Sequence, residues 1–202
     1  GAGVSGAAAA RVLRDLGATV TVVDADAEAL EALAAQGFPV GTGLPDELDL
    51  VVTSPGWRPS APLLVEAAAR GVEVIGEVEL AWRLRGPGAA PWLALTGTNG
   101  KTTTVKMLES VLRAAGHRAV AAGNVGLPVL DAVLAAEPYD VLAVELSSFQ
   151  LHWAPGVRPL AGALLNLADD HTDWHGSFQE YVLAKARVFD ADVSIGNADD
   201  EV

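Results

Sequence analysis

Cysteine is absent from the 202 residues, and lysine is scarce: Lys101, Lys106 and Lys185 are the only three. The lack of cysteine excludes a disulfide scaffold and thiolate metal sites, and it fits a cytoplasmic protein. Aromatic residues make up only 5% of the chain, whereas half of it is apolar and rich in Ala and Gly. No apolar run approaches the roughly 20 residues of a membrane span without charge or glycine breaking it, so no membrane partner is expected. Basic residues are outnumbered two to one, giving a formal net charge of −13. Binding along a nucleic-acid backbone needs a basic surface, so nucleic acid is not an expected partner either, and solubility accounts for the acidity. No signal peptide is visible, although the chain starts at Gly1 rather than at Met. What remains is a globular composition with core material for one large or two small domains.

The most informative stretch present is Leu95-Thr96-Gly97-Thr98-Asn99-Gly100-Lys101-Thr102-Thr103-Thr104. An apolar run, Trp92 to Leu95, leads in, and a helical pattern from Thr102 to Ala115 leads out. Glycines let backbone N–H groups turn inward around phosphate oxygens, and the helix N-terminus adds partial positive charge. Lys101 can reach β/γ-phosphates and the Thr102 hydroxyl can ligate Mg²⁺. The Gly97–Thr103 segment therefore predicts ATP binding. Leu95 occupies the position that the general Walker pattern gives to its first glycine, so the loop is of a tighter subclass.

Helical and strand signals alternate on both sides of this loop. Before it, helices are predicted at Ala7–Leu16, Ala27–Ala35, Pro62–Ala69 and Glu77–Leu84, with strands at Thr19–Val23, Leu48–Thr53 and Val72–Ile75. After it, strands are predicted at Trp92–Thr96, Ala119–Ala122, Val141–Leu146, Ala161–Asn166 and Val193–Asn197, with helices at Thr102–Ala115, Pro128–Ala135 and Phe178–Phe189. Such alternation predicts an α/β protein with parallel, doubly wound sheets. Gly86–Ala90 has linker composition. The expected division is a Rossmann-like domain over 1–87 and a P-loop α/β domain over 88–202. Both ends look cut, the first strand missing before Gly1 and the second domain incomplete at Val202.

Several further clusters stand at strand ends, where open α/β sheets bind ligands. Gly1-Ala2-Gly3-Val4-Ser5-Gly6 fits the dinucleotide fingerprint, with Asp24 ending the next strand. Any nucleotide diphosphate offers the same pyrophosphate to such a loop, and a ligand-free turn is the plainer alternative. Ser54-Pro55-Gly56 follows a strand and is either a binding loop or a simple turn. Glu145, just past an apolar strand, is placed to hold Mg²⁺ or to act as a capping acid. Asn124, within Gly123-Asn124-Val125-Gly126, can offer an amide to a substrate. In Asn166-Leu167-Ala168-Asp169-Asp170-His171-Thr172-Asp173, His171 can ligate metal or bond a substrate oxygen. His152 and His175 read as surface or packing residues. Lys185 shares a helical side with Tyr181 and either Val188 or Phe189. It snorkels, pairs with an acid, or is buried as a neutral nucleophilic amine.

Taken together, the motifs resemble the Mur ligase family. They are Gly-Thr-Asn-Gly-Lys-Thr-Thr, Gly-Asn-Val-Gly, Glu-Leu-Ser-Ser-Phe-Gln-Leu, Asn-Leu-x-x-Asp-His-x-Asp and Lys-Ala-Arg-Val-Phe, in order along the chain. The Gly-x-Gly-x-Ser-Gly opening, Ser54-Pro55-Gly56 and Glu145–Gln150 are most similar to the branch that adds D-glutamate in peptidoglycan synthesis. The resemblance implies a UDP-substrate domain using Gly1, Gly3, Ser5, Gly6, Asp24, Ser54, Pro55 and Gly56. It implies ATP on Gly97, Thr98, Asn99, Gly100, Lys101, Thr102 and Thr103, with Asn124 and Ser147 facing the substrate. Two Mg²⁺ ions are implied, one near Thr102 and Glu145 and a second near His171 and a Lys185 carbamylated by CO₂. Lys101, His171 and Lys185 would carry the catalysis. UDP-N-acetylmuramoyl-L-alanine and D-glutamate would be joined by a cytoplasmic monomer through an acyl phosphate, and a carboxy-terminal domain would be absent, leaving the fragment alone inactive. The alternatives are a ligase for another amino acid, an NAD-binding oxidoreductase with an unrelated P-loop domain, and a non-catalytic nucleotide-binding module.

Overall fold

The computed structural model describes residues 1–200; Glu201 and Val202, the end of the expected second domain, lie outside the described residues. In chain order the elements are α1 (Val4–Asp15), β1 (Val22–Val23), α2 (Ala27–Ala34), β2 (Val40–Gly41), β3 (Leu50–Thr53), α3 (Pro62–Ala69), β4 (Glu73–Gly76) and α4 (Glu77–Arg83). They continue as β5 (Trp92–Thr96), α5 (Lys101–Ala114), β6 (Ala119–Gly123), α6 (Val129–Val133), β7 (Val141–Glu145), α7 (Ser148–His152), β8 (Ala161–Leu164), α8 (Thr172–His175), α9 (Phe178–Ala186), a 3₁₀ turn (Arg187–Phe189) and β9 (Val193–Gly196). The protein is α/β with parallel sheets throughout. No helix among the described residues is long and apolar enough to cross a membrane.

The second half is built on a five-stranded parallel sheet in the order β6-β7-β5-β8-β9. Its central strands are continuous apolar runs because both faces are covered: every residue of β7 is buried. Helix α5 lays Val105, Leu108 and Leu112, one face at helical spacing, on Leu95, Ala121 and Ala143 of the sheet. The carboxyl ends of β5, β6, β7 and β8 come together at one edge of the sheet, and the polar loops of the sequence follow them.

The first half differs in detail from one continuous doubly wound sheet. β1 pairs only with β2, and β3 only with β4, both in parallel. The predicted strand Thr19–Val23 shrinks to Val22–Val23, because its partner is itself only Val40–Gly41. A narrow apolar slot bordered by Val23, Val51, Val52, Leu64 and Trp57 separates the two pairs. The predicted helix Phe178–Phe189 likewise tightens to a 3₁₀ turn at Arg187. β2, α7 and α8 carry no strong periodic pattern, being two, five and four residues long.

Helix α4 ties the halves together. Its residues Glu77 to Ala81 are all buried. Ile75, Val78, Leu80 and Ala81 share one core cluster with Trp92, Leu130, Leu146 and Leu151 from beyond Gly86–Ala90. Glu77 Oε1 accepts the Leu130 N–H at 2.7 Å, and Glu79 Oε2 accepts the Gly156 N–H at 2.8 Å. Gly76 N–H donates to Trp153 O at 2.7 Å. Two of these positions leave a side chain little room: a Cβ on Gly76 would lie 2.9 Å from Trp153 Cβ, and one on Gly156 would lie 2.5 Å from Glu79 Oε1.

Candidate functional site

The phosphate loop leaves the central strand β5 at Thr96 and enters α5 at Lys101, through Gly100 with φ +81°, a conformation that glycine adopts without penalty. No side chain caps α5, so its first N–H groups face outward unpaired by a cap. Gly97 is pressed against the residue just past β8, where a Cβ would stand 3.0 Å from Leu165 Cβ. Asn166 clamps the loop: its Oδ1 accepts the Asn99 N–H at 2.8 Å, and its Nδ2 donates to Asn99 O at 3.1 Å. Thr98 Oγ1 lies 2.8 Å from Tyr181 Oη and accepts the Ala168 N–H at 3.0 Å. Thr103 follows within the first turn of α5.

Two of the three lysines converge on this loop. Lys101 Nζ folds back to donate to Gly97 O at 2.9 Å and Thr98 O at 2.8 Å. Lys185 Nζ donates to the same Gly97 carbonyl at 2.8 Å and to Thr96 Oγ1 at 3.2 Å. Lys185 is 2% exposed, so it neither snorkels nor forms an ion pair. Burial, and then the neighbouring Lys101 charge, lower its amine to about 7 against the upward pull of Asp170 and Glu145. Near neutrality a large share of it is the uncharged nucleophile.

Glu145, 1% exposed at the end of β7, joins the loop to its neighbour strand. Thr102 Oγ1 donates to Glu145 Oε2 at 3.0 Å, and Asn124 Nδ2 donates to Glu145 Oε1 at 3.0 Å. Asn124 N–H also donates to Glu145 O at 2.9 Å. That approach needs Gly123, at φ +106°, whose Cβ would collide with the Glu145 carbonyl. A hydroxyl beside a carboxylate is a donor set suited to Mg²⁺, which takes one or two protein oxygens and fills its octahedron with phosphate and water.

His171 sits at the tip beyond β8 as the N-cap of α8, at φ +52°, the one positive φ among non-glycine residues described. Its Nδ1 lies 3.4 Å from Asp170 Oδ1. Its ring packs on Phe149, centroids 4.8 Å apart, and lies 6.4 Å from the Tyr181 ring, over which Lys185 Nζ stands at 4.9 Å. Tyr181 thus neighbours both His171 and Lys185. Among the described residues no group of three or more His, Cys, Asp or Glu side chains is close enough to hold a metal ion. His175, expected only to pack, places Nε2 3.0 Å from Ser148 Oγ, and burial with the His152 charge lowers it to about 4, leaving it neutral.

The Gly1–Gly6 loop and the Asn124 loop face each other across a cleft of about 270 Å³, lined by Val4, Ser5, Pro55, Asn124, Gly126 and Gln150 among others. Gly3 is the N-cap of α1 and supplies no side chain, so the helix N-terminus is open. Gly6 admits the Gly1 carbonyl where any Cβ would strike it, and Ser54 lies against Gly1, its Oγ buried without a partner. Gly56 offers its carbonyl to the Trp174 indole N–H at 3.1 Å. Asp24 stands beside the loop, but its oxygens accept from backbone: Oδ2 from Ala2 at 2.6 Å, and Oδ1 from Ala25 at 2.7 Å and Asp26 at 3.1 Å. Burial acts upward on its carboxyl, and these N–H donors outweigh it and hold it below the ordinary range. Ser147 caps α7, its Oγ accepting the Gln150 N–H at 3.2 Å while Gln150 Oε1 accepts the Ser147 N–H at 2.9 Å.

The structure therefore gathers Thr102, Glu145 and Asn124 into one bonded set, Lys101 and Lys185 into a second on the Gly97 carbonyl, and Ser5, Pro55 and Asn124 into one cleft. Asn166, Tyr181 and Gln150 were not singled out from sequence. Gln150 was findable, since Ser147-x-x-Gln150 is a capping box; Asn166 was visible as the polar end of an apolar strand.

A family model described as the Mur ligase middle domain matches residues 95–202. UDP-N-acetylmuramoylalanine–D-glutamate ligase of Streptomyces avermitilis is 59% identical over 199 residues, covering 94% of this chain and 43% of that protein. The protein of the same name from Thermobifida fusca is 58% identical, covering 99% of this chain and 45% of its own length. The chain thus spans less than half the length of these relatives. Among solved structures, UDP-N-acetylmuramate–alanine ligase of Thermotoga maritima superposes with TM-score 0.52 at 23% identity, over 99% of this chain and 48% of that one. The UDP-N-acetylmuramate:L-alanyl-γ-D-glutamyl-meso-diaminopimelate ligase of Neisseria meningitides gives TM-score 0.55 at 20% identity, over 100% and 69%. At such identities these two speak for the fold. With more than half of its residues matched by the family model, through the same strands that carry the phosphate loop, Glu145, His171 and Lys185, this chain belongs to the Mur ligase family.

Proposed function

We propose that this chain supplies the ATP site and the UDP-substrate cleft of a ligase that joins D-glutamate to UDP-N-acetylmuramoyl-L-alanine. One observation carries the reading: Glu145 bonds Thr102 of the phosphate loop with one oxygen and Asn124 of the cleft with the other. In this reading nucleotide and acceptor would lie on two sides of one carboxylate. The relatives' printed name and the Gly-x-Gly-x-Ser-Gly loop support the choice of substrates.

In this reading residues 1–87 bind the UDP moiety, with Gly1, Gly3, Ser5 and Gly6 exposing N–H groups to its diphosphate and Ser54-Pro55-Gly56 flanking it. Asp24 organises the loop through the Ala2 N–H. Residues 88–202 bind ATP through Gly97–Thr103. Lys101 swings from Gly97 O to the phosphates. Thr102 and Glu145 would hold one Mg²⁺, and a second would sit near His171 and a carbamylated Lys185. Mg²⁺ there would supply fixed positive charge for a carboxylate approaching a triphosphate. The substrate carboxylate displaces ADP to form an acyl phosphate, and the amine of D-glutamate displaces phosphate to leave the amide. The uncharged Lys185 amine can add CO₂ and release a proton, giving an anionic carbamate suited to a metal where the ammonium form would repel one.

Phosphate release by a ligase of the relatives' full length carrying this chain tests the assignment. Release with UDP-N-acetylmuramoyl-L-alanine and D-glutamate is the expected result. Release with L-lysine or diaminopimelate instead, or tight NADH binding with no affinity for UDP-sugars, would refute it.

A further inference from the structure

Loop 54–58 and the turn that carries His171 are fastened to each other. Trp174 Nε1 donates to Gly56 O at 3.1 Å, and Arg58 Nη2 donates to Asp173 Oδ2 at 2.6 Å. Trp153 Nε1 adds a third contact, to Trp57 O at 3.3 Å. Two of the three arise from α8, within three residues of His171. That turn passes through a left-handed His171, a backbone state that persists only where its surroundings impose it. The surroundings are aromatic: the Trp174 ring lies 4.8 Å from Phe149, which lies 4.8 Å from His171 on its other contact.

We propose that Trp174 is a positioning residue. Its indole N–H on Gly56 and its ring on Phe149 make the placement of His171 depend on loop 54–58, so that a nucleoside diphosphate seated on Ser54–Gly56 sets His171 for the reaction. The inference rests on the ligase assignment, and it adds a coupling between the diphosphate seat and the catalytic histidine. Arg58 and Asp173 reinforce the same linkage from the exposed side.

Histidine-selective ¹³C labelling of the ring carbons reads the coupling directly. A ligase of the relatives' full length carrying this chain is titrated with UDP, which carries the diphosphate without the reacting carboxylate. The His171 signal should shift on saturation, while that of the exposed His117, beyond the end of α5, should stay. Trp174→Phe keeps the ring and lacks the N–H, and should reduce the His171 shift at saturating UDP by half or more. Arg58→Ala alters only an exposed ion pair, so it leaves the fold intact and should also reduce the shift. An unchanged His171 response in both variants overturns the proposal. A wild-type chain that binds UDP with no response at His171 overturns the coupling and leaves the ligase assignment standing. A wild-type chain that does not bind UDP overturns the assignment, and the coupling with it.

Discussion

At the scale of single residues, three buried charges have different work. Glu145 is satisfied by Thr102 and Asn124, so Glu145→Ala leaves two donors without an acceptor and removes the carboxylate proposed for Mg²⁺. Calorimetry should show Mg·ATP affinity lowered about tenfold or more, in line with the roughly 1–3 kcal/mol of a lost buried partner. Lys185 should be indispensable: Lys185→Ala should abolish activity of the complete ligase, with partial recovery in acetate or a similar short carboxylic acid. Full activity of the variant would remove Lys185 from the site. Glu77 is a burden of the opposite kind. Burial raises its carboxyl to about 7, opposed by the Leu130 N–H. A raised carboxyl is protonated in the fold at pH values where the unfolded chain has already ionised. Its contribution is therefore neutral below about pH 4.5 and turns progressively unfavourable as pH rises to about 7. Denaturant melts between pH 5 and 7.5 should lose stability in that direction, with Glu77→Gln flattening the slope.

At the scale of elements, α4 works because two glycines let it approach. Gly156→Ala would push a methyl group onto Glu79, and overpacking of this kind costs about 1–3 kcal/mol. A thermal melt should register it, whereas Gly43→Ala, with open space around the position, should melt like the parent. Which elements sequence discloses follows from their length and pattern. Trp92–Thr96 and Pro62–Ala69 were predicted to the residue, since an apolar run before glycines and a proline at a helix start are local signals. α7 and α8 are single turns fixed by a capping box and by aromatic packing, so no periodicity could reveal them. The site divides the same way. Lys101, Thr102 and Glu145 stand in motifs whose chemistry is local. The sharing of Gly97 O by Lys101 and Lys185, and the clamp of Asn166 on Asn99, join residues 67 or more apart in sequence and appear only in the fold. Asp24 shows the converse: it ends the strand after the dinucleotide fingerprint, where spacing offers it to a ligand, yet its oxygens are occupied by backbone N–H groups.

At the scale of the whole molecule, the phosphate loop and the cleft beside Gly1–Gly6 are held in one body by α4, and the segment joining the halves is peripheral to that union. Gly86 to Ala89 are exposed, and Gly88 turns at φ +75°. A protease that nicks this segment should therefore release nothing: the two pieces should elute from a sizing column as one particle of the parent's mass. Two separate peaks would show that the shared core does not hold the halves together. Residues 1–87 made alone would lay Val78, Leu80 and Ala81 open to water and should aggregate, because these belong to the core that Trp92 and Leu130 complete. Supplied together as two polypeptides, the halves should find each other. Covalent continuity is then a convenience of synthesis, and the molecule behaves as a split protein whose reassembly could be scored by the return of nucleotide binding.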